Sequence, residues 1–277
     1  MDARNISNSS SPTGRAYTEE AMHRLNALLP RRIASTPTGR LVAALILVIF
    51  AWAVGPRGVR AAESWSATLG ATTDYIYRGI SQTYGGSALQ LGANYQHADG
   101  WFAGVWGSNV DPYPGGASSE ELDLYTGINH ELGDDFVVRG TYTHYAYLRD
   151  PRPSHYDHDE IAVGVTYVDL LAATISYQPN SSAYTDLGFA HKRATLAYEA
   201  TGRWPLRAGL WVSASGGYYD LHDLFHVGYW AGDAGIAYGY RRLTLDLRRF
   251  FCDTTAARLY EDASANGVWA FSAVVRF

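Results

Sequence analysis

Alternation of apolar and polar residues is the dominant pattern of the chain beyond residue 62. Residues 65–73, 122–130 and 243–248 each place apolar side chains at every second position and polar or small ones between them. A period of two residues indicates β-strands with two different faces. The pattern predicts about twelve strands, at 64–74, 86–97, 100–110, 120–131, 135–148, 158–168, 170–178, 188–200, 205–219, 229–240, 241–251 and 265–277.

The links between these strands alternate in length. Tight links follow the even strands, at Asp99-Gly100, Gly133-Asp134, Asp169, Thr201–Trp204 and Tyr240-Arg241. Longer, polar links follow the odd strands, at 75–85, 111–119, 149–157, 179–187, 220–228 and 252–264. Short turns at one end and longer loops at the other are typical of outer-membrane barrels. We therefore predict an all-β, transmembrane, antiparallel up-and-down barrel over residues 62–277, with both chain ends in the periplasm.

The rival fold is a soluble, lipocalin-like barrel that binds one ligand. Such a barrel needs eight strands, an apolar interior and a polar outer surface. The predicted strand count is higher. The 21 tyrosines and 8 tryptophans also exceed what one ligand pocket requires, whereas they suit the aromatic girdles of a membrane barrel.

Residues 1–61 are set apart as an N-terminal extension and signal peptide. An uncharged apolar stretch at 41–54 follows Arg31, Arg32 and Arg40, and it is too short for a membrane-spanning helix of about 20 residues. A basic region, a short apolar core and the small-residue site near Ala61 predict export through the general secretory route. An uncleaved anchor or a buried helix is the alternative, and translation could start at Met1 or at Met22.

Charge and cysteine content narrow the function classes. Residues 62–277 contain 14 basic and 24 acidic residues, so nucleic acid is not an expected partner. Cys252 is the single cysteine, which excludes an intramolecular disulfide. The last strand ends at Phe277, and a C-terminal aromatic residue resembles the signal that barrel assembly machinery reads. The expected surroundings are outer-membrane lipid and lipopolysaccharide.

Residues 73–83, Thr-Asp-Tyr-Ile-Tyr-Arg-Gly-Ile-Ser-Gln-Thr, resemble the opening signature of the TorF-type family of candidate porins. The stretches 93–97, 104–110 and 121–127 fit the same family pattern in order and spacing. At 89–92 the chain departs from the family, which usually has more proline and glycine there. The resemblance implies an outer-membrane barrel with pore activity, and it implies no particular solute.

Charged residues on the polar faces of the strands are the candidates for function, because a narrow barrel turns polar positions inward. If opposite charges pair across strands they plug the interior, and if they segregate they line a channel for small hydrophilic solutes. Arg78 is either a constriction paired with a carboxylate such as Asp123 or a structural lock for the first loop. The candidates for pore lining or constriction are Asp74, Arg78, Asp123, Arg139, Glu199, Arg207, Asp233 and Arg248, and further inward charges are expected at Glu160, Arg193, Asp246 and Arg276.

Other chemistry has little support in the sequence. A polar cluster at His155, Asp157, His158, Asp159 and Glu160 has metal-binding residue types, but a solvated loop explains it. No nucleophile motif such as G-x-S-x-G and no phosphate-binding loop occurs, so we expect neither an enzyme nor a cofactor. The function predicted from the sequence is passive diffusion of small hydrophilic solutes, and the alternative is a non-conducting structural or adhesion barrel.

Overall fold

Twelve strands close into one antiparallel barrel in the computed structural model, which describes residues 63–111, 119–149, 156–182, 184–185, 188–189 and 192–277. The strands in chain order are β1 Ser64–Thr72, β2 Ile76–Tyr77, β3 Ile80–Ser81, β4 Ala88–Gln96, β5 Trp101–Val110, β6 Ser119–Leu132, β7 Phe136–Leu148, β8 His158–Tyr167, β9 Leu171–Ser181, β10 Tyr184–Thr185, β11 Gly188–Phe189, β12 Arg193–Arg207, β13 Leu210–Leu221, β14 Val227–Tyr240, β15 Leu243–Cys252 and β16 Trp269–Arg276. Two pairs, β2–β3 and β10–β11, are short hairpins that form separate sheets and are not part of the barrel wall. The predicted signal segment lies outside the described residues.

The barrel closes between the two ends of the chain. Leu69 of β1 is opposite Leu91 of β4 on one side and opposite Val275 of β16 on the other. Every other barrel strand pairs with its sequence neighbours, except that β9 pairs with β12 across the β10–β11 hairpin. Full closure leaves no strand edge with unpaired backbone groups. The predicted twelve-stranded barrel is thereby confirmed.

The outer and inner faces of the barrel have inverted polarity relative to a soluble protein. Twenty-seven large apolar side chains are exposed among the described residues, including Trp65 at 77% and Trp230 at 62%. In contrast, Glu121 and Glu160 are buried in the interior, with 4% and 7% of their surface exposed. An apolar exterior and a polar interior are the arrangement that a lipid environment favours.

The two ends of the barrel differ, and we name them by their connections. The turn end carries the tight links and the loop end carries the longer ones. One predicted turn, at Thr201–Trp204, is wrong because β12 continues to Arg207 and the chain reverses at Ala208-Gly209. Gly209 has φ +74°, a left-handed conformation that glycine adopts without steric cost, and this fixes the reversal there.

Two short helices lie at the loop end, α1 (His222–Phe225) and α2 (Thr254–Tyr260), and a 3₁₀ turn at Glu261–Ala263 follows α2. The Asp253 carboxylate caps α2 by accepting hydrogen bonds from the Thr255 and Ala256 amides, each at 2.9 Å. We call residues 253–268 the last loop. None of the helices in the described part of the chain has the length and apolar character needed to cross a membrane.

Candidate functional site

The first loop folds into the barrel interior, and we call residues 73–87 the inner loop. Its β2–β3 hairpin turns at Arg78 and Gly79, whose φ angles are +52° and +77°. Two successive positive φ angles are those of the tight turn that suits a two-residue hairpin. The Asp74 carboxylate stabilises the base of the hairpin, because it accepts a 2.6 Å hydrogen bond from Ser81 Oγ and lies 3.0 Å from Thr83 Oγ1.

The tip of the inner loop reaches the barrel wall formed by β8 and β12. The Arg78 guanidinium nitrogen Nη2 lies 2.9 Å from Glu160 Oε2 and 3.3 Å from Glu199 Oε2. Tyr219 Oη donates to Glu199 Oε1 at 3.0 Å, and Tyr229 Oη donates to the Arg78 carbonyl at 3.1 Å. The loop that leaves β1 is therefore fastened directly to β8, β12 and β14, and Tyr219 of β13 supports it through Glu199.

Gly79 lets the tip approach the wall closely. A Cβ atom at this position would lie 2.4 Å from Ala231 Cβ, and its positive φ disfavours any other residue. The last loop covers the tip, since the Ala265 amide donates to the Gly79 carbonyl at 2.9 Å and Ile80 forms a bridge with Ser264. The tip thus lies between β14 and the last loop.

Aromatic rings occupy the start of the inner loop. Tyr75 meets Trp106 of β5 edge-on, with ring centroids 5.4 Å apart, and Tyr77 lies 6.4 Å from Tyr145 of β7. Burial raises the pKa of the Tyr75 and Tyr77 phenols well above their usual range, so both rings stay uncharged. Next to them, Glu121 of β6 accepts a 3.2 Å hydrogen bond from Tyr147 Oη.

A second charged network lies within the wall itself. Arg248 of β15 pairs with Asp233 of β14 and, at 3.2 Å, with Asp246 two positions along its own strand. Its Nη2 also donates to Ser213 Oγ at 2.8 Å, and Ser215 Oγ donates to Asp233. This network joins three strands and does not include the inner loop.

Two cavities border the inner loop. A cavity of about 120 Å³ is lined by Arg78, Glu199, Ser215 and Asp233, and one of about 360 Å³ is lined by Asp74, Tyr75, Gln90, Trp106, Asp246 and Arg248. Ile76 and Phe250 line both cavities. The polar interior is therefore only partly filled by the loop.

The candidates predicted from the sequence separate into four places. Asp74, Arg78 and Glu199 meet through the inner loop, and Asp233 and Arg248 meet in the wall network. Arg78 does pair with carboxylates, but the suggested partner Asp123 is wrong, because the partners are Glu160 and Glu199. Asp123 lies on β6, two strands along the wall from β8. Pairing of that kind needs the three-dimensional register of distant strands, which the sequence pattern does not contain.

Two candidates lie far from the inner loop. Arg139 lies close to the turn end, where its guanidinium carbon is 3.8 Å from the centre of the Phe102 ring. Arg207 is exposed where β12 ends at the turn. Sequence reasoning missed Tyr219 and Tyr229 of the wall, which support the tip of the loop, and the packing of Tyr75 against Trp106. The high tyrosine content was the available signal, but it was assigned to the outer girdles alone.

The described residues of the histidine and carboxylate cluster found in the sequence do not converge on one point. His158 Nδ1 contacts the Tyr156 carbonyl at 2.9 Å, whereas Asp159 accepts hydrogen bonds from Tyr142 and Asn180 on the outer face. His155 lies outside the described residues. No group of three or more His, Cys, Asp or Glu side chains suited to a metal ion occurs in the described ranges.

Comparison with family models gives one match, over residues 58–263, to the bacterial proteins of unknown function termed Gcw_chp. The chain belongs to the Gcw_chp family. This match covers the barrel from its first strand into the last loop. The TorF name inferred from residues 73–83 stays a prediction. No curated protein matches the Gcw_chp chain by sequence.

Solved structures resemble the Gcw_chp barrel in fold. The NanC porin aligns with a TM-score of 0.51 and 10% identity, over 76% of this chain and 98% of NanC. The KdgM porin gives a TM-score of 0.49 and 8% identity, over 76% of this chain and 98% of KdgM. An outer-membrane channel from Pseudomonas putida F1 gives 0.46 and 10%, over 81% and 100%. At these identities only the fold is shared.

Proposed function

We propose that this protein is an outer-membrane channel through which small hydrophilic solutes diffuse passively, with the inner loop as its constriction. The observation that carries the proposal is a closed barrel with an apolar exterior and a polar interior, crossed by a loop that Arg78 fastens to Glu160 and Glu199. The cavities beside the loop leave polar space through which a narrow path can run.

The outer surface supports placement in a membrane. Barrel strands of 8 to 15 residues bracket the roughly 9–11 residues that a tilted strand needs to cross a bilayer. Exposed aromatic residues gather near both ends, with Trp101, Phe136 and Tyr240 towards the turn end and Trp230 and Trp269 towards the loop end. Aromatic girdles at the two interfaces suit an outer-membrane barrel exported through the secretory route and assembled through its last strand.

A non-conducting structural barrel is the second candidate. The observation in its favour is the cluster of buried residues that fixes the tip of the inner loop, which includes Ile80, Tyr219, Tyr229, Ala231 and Ala256. If this packing seals the lumen, the protein carries no current. Conductance therefore separates the two functions.

The test is single-channel recording of the refolded chain, residues 62–277, in planar bilayers. We expect discrete steps from the native sequence and steps at least about twofold larger from Arg78→Ala, because a loop released from Glu160 and Glu199 no longer narrows the lumen. Arg139→Ala is the matched control, since it removes the same charge far from the loop. A correctly folded, heat-modifiable barrel without steps in either form would contradict the channel function.

A further inference from the structure

The charges around the inner loop are strongly unequal in sign. In the described part of the chain, seven carboxylates lie on the inner face or the inner loop at this level, and two guanidinium groups, Arg78 and Arg248, accompany them. The carboxylates belong to Asp74, Glu121, Asp123, Glu160, Glu199, Asp233 and Asp246. A narrow passage lined by one sign of charge concentrates ions of the opposite sign.

Both guanidinium groups are already engaged. Arg78 is shared between Glu160 and Glu199, and Arg248 between Asp233 and Asp246. Each cationic group thus faces two carboxylates, which leaves neither network with free positive charge. Anions that enter this part of the lumen would meet no unpaired cationic side chain among the described residues.

Glu121 and Asp123 have no such compensation. They are two positions apart on β6 and face inward, between Trp106 of β5 and Tyr147 of β7. Glu121 Oε2 and Asp123 Oδ1 are buried and have no hydrogen-bond partner, and no described cationic side chain forms an ion pair with either residue. Buried carboxylate oxygens without a partner are costly, so the two unsatisfied oxygens favour a cation nearby.

The aromatic surroundings add to this preference. Tyr75 of the inner loop and Trp106 of the wall lie on the same side of the lumen as the carboxylate pair, and both line the larger cavity. The faces of such rings attract organic as well as inorganic cations. The carboxylates of Asp74 and Asp246 line the same cavity, and carboxylates beside aromatic rings suit an ammonium or guanidinium group.

We infer that the lumen selects for cations and small cationic solutes, and that Glu121 and Asp123 set much of this preference. The inference rests on the proposed channel function. The other basic residues expected on the inner face lie elsewhere. Arg139, Arg207 and Arg276 are near the turn end, and Arg193 is exposed at the loop end of β12. Selection therefore occurs at the level of the inner loop.

The test measures reversal potentials of the refolded barrel in a KCl gradient. We expect the native channel to prefer K⁺ over Cl⁻, and the double variant Glu121→Gln/Asp123→Asn to lose this preference by about tenfold, because two nearby ionisable carboxyl groups become neutral amides while shape is kept. Glu120→Gln is the matched control. It removes a charge from the same strand, but Glu120 pairs with Arg149, is not buried and alternates with the inward positions.

The outcomes separate the two claims. Conductance steps with anion preference, or a cation preference that the double variant leaves unchanged, would overturn the inference while the channel function stands. Absence of steps in every form would overturn both. Retention of heat-modifiable migration by each variant shows that the barrel has folded. The native measurement decides the sign of selectivity even if the double variant does not fold.

Discussion

Two arginines inside the barrel make nearly the same contacts and have different structural roles. Arg78 and Arg248 each pair with two carboxylates. Arg248 and its partners all lie on barrel strands, which backbone hydrogen bonds hold in place without it. Arg78 lies at the tip of a loop, so its ion pairs decide where that loop rests. The comparison teaches that an ion pair has more effect on position where the backbone alone does not fix the structure.

The largest effect on the position of the inner loop is expected from Gly79→Val. The new side chain would meet Ala231 Cβ and adopt φ +77°, so we expect a loss of about 3 kcal/mol or release of the loop. Release would expose the Arg78–Gly79 bond to trypsin, which electrophoresis detects. Gly79→Ala combined with Ala231→Gly is the control, because it relieves the contact and should restore part of the protection.

Replacement of the two arginines should separate their roles. Arg78→Met leaves Glu160 and Glu199 without their cation and should cost about 3 kcal/mol of unfolding free energy. Arg248→Met should cost less, about 2 kcal/mol, since its side chain is 23% exposed against 11% for Arg78. Denaturant unfolding gives the stabilities. Cleavage of the Arg78–Gly79 bond by trypsin in Arg248→Met as well would contradict the different roles of the two arginines.

The smallest effects are expected at the supports of the loop. Asp74→Asn keeps the shape of the hairpin base and weakens a charge-assisted hydrogen bond from Ser81, for an expected loss of about 1–2 kcal/mol. Tyr229→Phe removes one hydrogen bond to the Arg78 carbonyl and should cost about 1 kcal/mol. Single-channel records of the Asp74→Asn variant should also show frequent brief closures and openings. An unaltered record and stability for Asp74→Asn would rule out its supporting role.

The barrel was predictable from the sequence because each of its determinants is local. Alternation along a strand, as at 122–130, and a turn signal such as Gly133-Asp134 require only neighbouring residues. The turn at Ala208-Gly209 was misplaced because Gly202 lies within β12 although it resembles a turn residue. The candidate site was predicted in composition but not in arrangement, since Arg78 meets Glu160 and Glu199 only after eight or more strands have found their register.

The cover over the tip of the inner loop implies an order of events during folding. The loop follows the first strand, yet the Phe271 amide donates to Thr73 Oγ1 across 198 residues of sequence, and the Ala265 amide binds the Gly79 carbonyl. These contacts cannot form until nearly the whole chain is present. Contacts of such long separation form late because the intervening chain must first be ordered. We therefore expect the strands of the barrel to pair first, with the inner loop taking its place inside the barrel as the final step of folding.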